Sequence, residues 1–183
     1  MLPLWIWLLA GTPSDGTRAG DAAYKAGDLT KALQSWGEAL EGARSSGDAV
    51  AEFELMLRIA AAYRRLGKVE TAAKALEAAE KKATLPEHQG LLALDRASTS
   101  LASGDLAAAE KGYASAFKQL RGAKDPVGAA SAALNLGIVR RARGESDQAN
   151  KAFDAAATLF DALEDRGGRA ALLLERCRLA RQD

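Results

Sequence analysis

The chain has 183 residues, enough for one ordinary domain with a real core. Its 25 basic and 24 acidic residues leave a net charge of +1, so there is no general pull toward nucleic acid or an anionic membrane surface. A single cysteine, Cys177, excludes an internal disulfide and a CxxC metal or redox pair; its expected place is a small buried position on the last helix.

The first segment, Leu2 to Ala10, reads LPLWIWLLA. It is shorter than the roughly 20 apolar residues a spanning helix needs, and its length matches the apolar part of an export signal. No Lys or Arg precedes it, the first being Arg18, and an apolar tip packed on the first helices through Trp5 and Trp7 is the other reading. Residues 1–12 are therefore set apart from a helical domain over 13–183. An export signal places the chain in the periplasm or envelope, as in bacteria, whose proteins the alanine- and arginine-rich usage resembles; without it the chain is cytoplasmic.

From there the composition is that of helices. Ala, Leu, Glu, Lys and Arg dominate, only four prolines occur, and no Val/Ile/Thr alternation offers a strand. In chain order the predicted helices are 14–26, 29–45, 49–66, 69–83, 86–103, 106–122, 126–143, 146–164 and 167–181. Asp48 and Asp105 stand at N-cap positions, and Pro86 and Asp125-Pro126 put proline in a first helical turn. The last helix carries Leu172, Leu173 and Leu174 to cover the open end of the fourth pair, and Arg169, Arg176, Arg178 and Arg181 for an outer polar face.

A repeat runs through these helices. Gly27, Gly67, Gly104 and Gly144 each follow a helical segment. Seven residues before each stands a small residue (Gly20, Ala60, Ala97, Gly137), five after it an alanine (Ala32, Ala72, Ala109, Ala149) and twelve after it another (Ala39, Ala79, Ala116, Ala156). Nine after it stands a large apolar residue: Trp36, Leu76, Tyr113 or Phe153. The glycine ends one helix in a left-handed conformation, the small residues let the axes approach, and the large residue fills the gap. A single pair cannot bury its own apolar face, so pairs must stack.

This pattern resembles the tetratricopeptide repeat, best over Asn135-Leu136-Gly137, Gly144, Ala149, Phe153 and Ala156. The spacing near 40 is similar to the longer subclass of that family, in which Gly-Asp closes the second helix, as Gly47-Asp48 does here. The family's aromatic four residues before each glycine is kept only at Tyr63; Ala23, Ser100 and Arg140 replace it elsewhere. The resemblance implies an all-α fold, a right-handed α-solenoid of about four helix pairs plus a C-terminal capping helix, with the first helix of each pair lining a concave face.

No constellation for catalysis is present. His88 stands alone and reads as a solvated turn residue; no phosphate loop or nucleophile elbow occurs. Carboxylates such as those of Glu77/Lys81 and Glu110/Lys111 read as surface charges. No cofactor and no metal is expected. Basic residues gather near the ends of the first helices: Lys25, Arg64, Arg65, Arg140, Arg141 and Arg143. Cations there complement the helix dipole by about 0.3–1 kcal/mol each. The resemblance implies a second role, in which basic and asparagine side chains of the first helices hold an acidic peptide or a C-terminal carboxylate. Tyr24, Lys25, Arg58, Arg65, Asn135 and Arg141 are the candidates. The expected function is a non-catalytic interaction module binding a protein or peptide partner; the rival is a structural assembly subunit that stacks with itself or within a larger complex through its ends or convex face.

Overall fold

The structure is a computed structural model that describes residues 14–181; the apolar run Leu2 to Ala10 lies outside the described residues. Alanine-rich segments become helices wherever a short polar side chain satisfies the first free N–H groups. Ser14, Asp28, Asp48, Asp105, Asp125 and Asp165 each accept a hydrogen bond from the backbone N–H three residues on, worth about 1 kcal/mol apiece. Nine helices follow among the described residues: α1 (Asp15–Ala26), α2 (Leu29–Ser46), α3 (Ala49–Arg65), α4 (Val69–Glu80), α5 (Pro86–Ala102), α6 (Leu106–Gly122), α7 (Pro126–Ala142), α8 (Ser146–Ala162) and α9 (Arg166–Leu179).

Seven of the joints between them share one construction. A left-handed residue is followed by the next helix's N-cap, whose N–H returns to a carbonyl five residues back, as Asp28 N–H does to Ala23 O at 2.9 Å. Glycine supplies the left-handed residue at 27, 47, 67, 104 and 144. At the other two joints Lys124 and Glu164 take φ of 59° and 51°, an unfavourable region for a side chain.

The joint between α4 and α5 differs, and it corrects the reading of His88. Helix α4 stops at Glu80, short of the expected 83, and no left-handed turn follows. His88 Nδ1 instead accepts the N–H of Thr84 at 3.1 Å and of Leu85 at 3.3 Å, doing from inside α5 what an N-cap does elsewhere. The ring is fully buried and stacks on Phe53 with centroids 3.9 Å apart. Its Nδ1 is thus an acceptor, which fixes the neutral Nε2–H tautomer, and burial holds its pKa below the usual 6.5.

Packing is linear. Each helix packs on its neighbours in sequence, and the contacts that skip a helix join odd-numbered ones: α3 to α5, α5 to α7, α7 to α9. This is an α-solenoid. Even helices bury one stripe, such as Ala109, Tyr113, Ala116 and Leu120 in α6. Odd helices are buried on several sides; α7 buries every residue from Val127 to Ala133.

The repeat's small and large residues meet as expected. A Cβ added to Gly20 would stand 2.4 Å from the Trp36 ring, and one added to Gly137 would stand 2.3 Å from Phe153. At Ala97, where alanine replaces glycine, the room comes from Gly112 beside Tyr113: a Cβ added to Gly112 would stand 2.7 Å from the Ala97 Cβ. Trp36, Leu76, Tyr113 and Phe153 are all core residues.

Helix α9 departs from expectation. Leu172 and Leu179 are buried against the fourth pair, but Leu173 and Leu174 remain 62% and 53% exposed. Cys177 is exposed, not buried. Two of the arginines expected on an outer face return to α8, Arg176 to Asp154 at 2.6 Å and Arg169 to Asp161 at 3.3 Å.

Candidate functional site

From α3 onward the odd helices pack on one another across the intervening helix, and α1 reaches α3 through side chains, while even helices show no comparable mutual packing. The odd row is therefore the shorter, inner side of the stack. Any side chain on it is either used to join one odd helix to the next or offered to whatever lies along the row.

Ion pairs make most of the joins. Between α1 and α3, the Arg58 guanidinium stands 3.3 Å from Asp21 and 3.3 Å from Glu54, with Trp36 Nε1 donating to Asp21 at 3.0 Å. Arg65, also on α3, donates to the Tyr24 carbonyl at 3.1 Å and lays its guanidinium 4.5 Å above the Tyr24 ring. Between α3 and α5, Arg64 pairs with Asp95 at 3.0 Å. Between α7 and α9, Arg141 stands 3.1 Å from Glu175. These last two rungs occupy one register: the arginine four residues after the small residue of one odd helix meets the carboxylate two residues before the equivalent position of the next. At α5 and α7 that register holds Leu101 and Asn135, so the rung is not ionic.

Burial dominates the electrostatics. Asp21, Glu54 and Asp95 have pKa values above the usual carboxylate range because burial penalises the charge more than their arginines compensate. One oxygen of Asp21 and one of Asp95 have no hydrogen-bond partner among the described residues, consistent with that balance. Burial likewise raises the Tyr24 phenol, with Arg65 opposing it.

The expected site residues divide into three groups. Tyr24, Arg58 and Arg65 come together at the α1–α3 junction, but Tyr24 and Arg58 are only 4% and 5% exposed. Tyr24 is thus packed against Trp36 at 5.5 Å between ring centroids and not turned outward as expected. Arg65 and Lys25 remain exposed near the C-terminal ends of α3 and α1. Asn135 and Arg141, half-buried on α7, lie two repeats further along. The basic residues at the helix ends therefore do more than complement dipoles: most clamp a neighbouring helix.

Sequence reasoning missed the acidic halves of these clamps. Asp21, Asp95 and Glu175 sit among apolar residues on helix faces, and a carboxylate in a buried stripe was the available signal. Glu110 is corrected too. It is no surface partner of Lys111 but is held by Arg140 at 3.1 Å and Arg143 at 2.7 Å from the next pair. Among the described residues, no group of three His, Cys, Asp or Glu side chains could hold a metal, and no helix is long and apolar enough to cross a membrane. No protein-family model and no curated protein matches the chain.

Proposed function

We propose that the chain is a non-catalytic interaction module of the tetratricopeptide kind, holding an extended or helical partner segment along its odd-helix row. The observation that carries this reading is the inner position of that row, to which each pair contributes its first helix. Lys25 and Arg65 are exposed at one end of it, and Asn135 is half-buried further along, so an acidic segment meets cations at the first and an amide at the second. Arg58 serves by keeping α1 and α3 in register.

The test is retention of partners by the immobilised chain and by a Lys25→Glu/Arg65→Glu double variant with matched helicity. A partner retained by the first and lost by the second supports the reading. Equal retention by both sinks it. One observation favours the assembly reading as well: the apolar surface left on α9, where Leu173 and Leu174 face outward at the end of the stack. The apolar run Leu2 to Ala10 supports export to the envelope, which N-terminal sequencing of the mature chain would test.

A further inference from the structure

Among the described residues, helix α9 has no even helix after it, as α7 has α8. Helix α9 stands in register with α7 at a spacing of 40. Asp125 accepts the Gly128 N–H at 2.9 Å, and Asp165 accepts the Gly168 N–H at 3.0 Å. Each cap follows a left-handed non-glycine residue, Lys124 or Glu164. Buried Ala132 and Val139 of α7 correspond to buried Leu172 and Leu179 of α9. Under this register Ala130, Ala133, Leu134 and Gly137 of α7 become Ala170, Leu173, Leu174 and Cys177 of α9.

On α7 that face is covered. Ala130 and Ala133 belong to the buried cluster that contains Phe153 and Ala156 of α8, Leu134 packs against the same cluster, and the Phe153 ring lies directly over Gly137. On α9 the corresponding residues Leu173, Leu174 and Cys177 are exposed. An apolar stripe at spacings of three, four and seven is what a helix presents to a second helix.

We infer that this face of α9 is a docking site for one amphipathic helix from a partner, built like the even helices of this chain. The occupant carries a central large residue between two alanines, four residues after one and three before the next, as Leu76 stands between Ala72 and Ala79 in α4. Its central residue is leucine-sized. Phe153 and Trp36 need glycine beneath them, whereas Cys177 puts a Cβ and a sulfur where the ring would lie. Its flanks are acidic, because exposed arginines Arg166 and Arg181 bracket the stripe. The same arginines disfavour a second copy of α9 as occupant: antiparallel pairing would set Arg166 of one copy beside Arg181 of the other. The inference is independent of whether the inner row holds a segment.

The test titrates the full chain against a labelled, lactam-constrained peptide with the α4 sequence 69–80, its helicity confirmed by circular dichroism and binding read by fluorescence anisotropy. Saturable binding is expected, weakened at least tenfold by Leu173→Glu, a substitution at an exposed position that leaves the melt unchanged. A peptide with Leu76→Phe should bind the native chain more weakly than the leucine peptide, and Cys177→Gly should reverse that order. Binding that survives Leu173→Glu within twofold, or no saturable binding of either peptide to either chain, overturns the inference. A concentration-dependent dimer in sedimentation that Leu173→Glu abolishes would also overturn it, giving the face to a second copy.

Discussion

Arg58 shows how this chain spends its charges. At 5% exposure its guanidinium stands between Asp21 on the preceding odd helix and Glu54 on its own. Removing one partner of a buried pair leaves an uncompensated charge and costs about 3–5 kcal/mol. Arg58→Leu should therefore lower the urea unfolding free energy by that order, a loss far beyond what an exposed binding arginine would show. His88 makes a second residue-scale prediction. Burial lowers its folded pKa, so in the folded state it stays neutral where the unfolded chain, with the usual 6.5, takes up a proton. Its contribution to stability is present above pH 6.5 and is lost as pH falls through that value. The melting temperature of the native chain should fall between about pH 7.5 and 5.5 relative to that of His88→Gln, which keeps an acceptor but cannot titrate. Asp21, Glu54 and Asp95 act with the opposite sign. Their raised folded pKa values favour folding as acid protonates them, and both proteins share that effect, so the difference between them isolates the histidine.

At the scale of the elements, the two-residue joint decides where helices stop. Five joints use glycine, but Lys124 and Glu164 adopt left-handed φ with a side chain attached. Lys124→Gly and Glu164→Gly should each raise stability by about 1 kcal/mol in chemical denaturation, since glycine removes the steric penalty and no contact is required of either position. Helix pairing makes the converse prediction. Gly137→Ala would drive a Cβ into the Phe153 ring and should destabilise by about 1–3 kcal/mol. Alanine at Gly42, where nothing lies within 4 Å, serves as the control and should stabilise by about 0.5–1 kcal/mol.

At the scale of the whole molecule, a stack of near-neighbour contacts is stabilised piecewise. Helix α9 covers Phe160 with Gly168 and supplies Glu175 to Arg141. A chain ending at Asp165 should lose amide protection first in α7 and α8, while α3 to α5 keep theirs, as read by hydrogen exchange with mass spectrometry. Uniform loss along the chain would mean that the stack unfolds as one unit.

The sequence alone determined the all-helical class, eight of the nine helix ends to within two residues, the glycine joints and the four large core residues. Each of these follows from local rules: cap chemistry, left-handed glycine and a periodic small–large–small stripe. The α4 end escaped because its joint has no glycine and takes its cap from His88, a residue inside the following helix. Which charges face a partner was equally illegible. Arg58 and Arg65 look alike in sequence, yet only the packing of α1 against α3 buries the first and leaves the second exposed. Tertiary structure alone decided that Asp21, Asp95 and Glu175 are clamps, because a carboxylate's partner lies on a helix some thirty residues away. It decided the fate of Cys177 for the same reason: its position in the repeat is a buried one, but burial there requires a helix on the far side, and no described helix of this chain packs on that face.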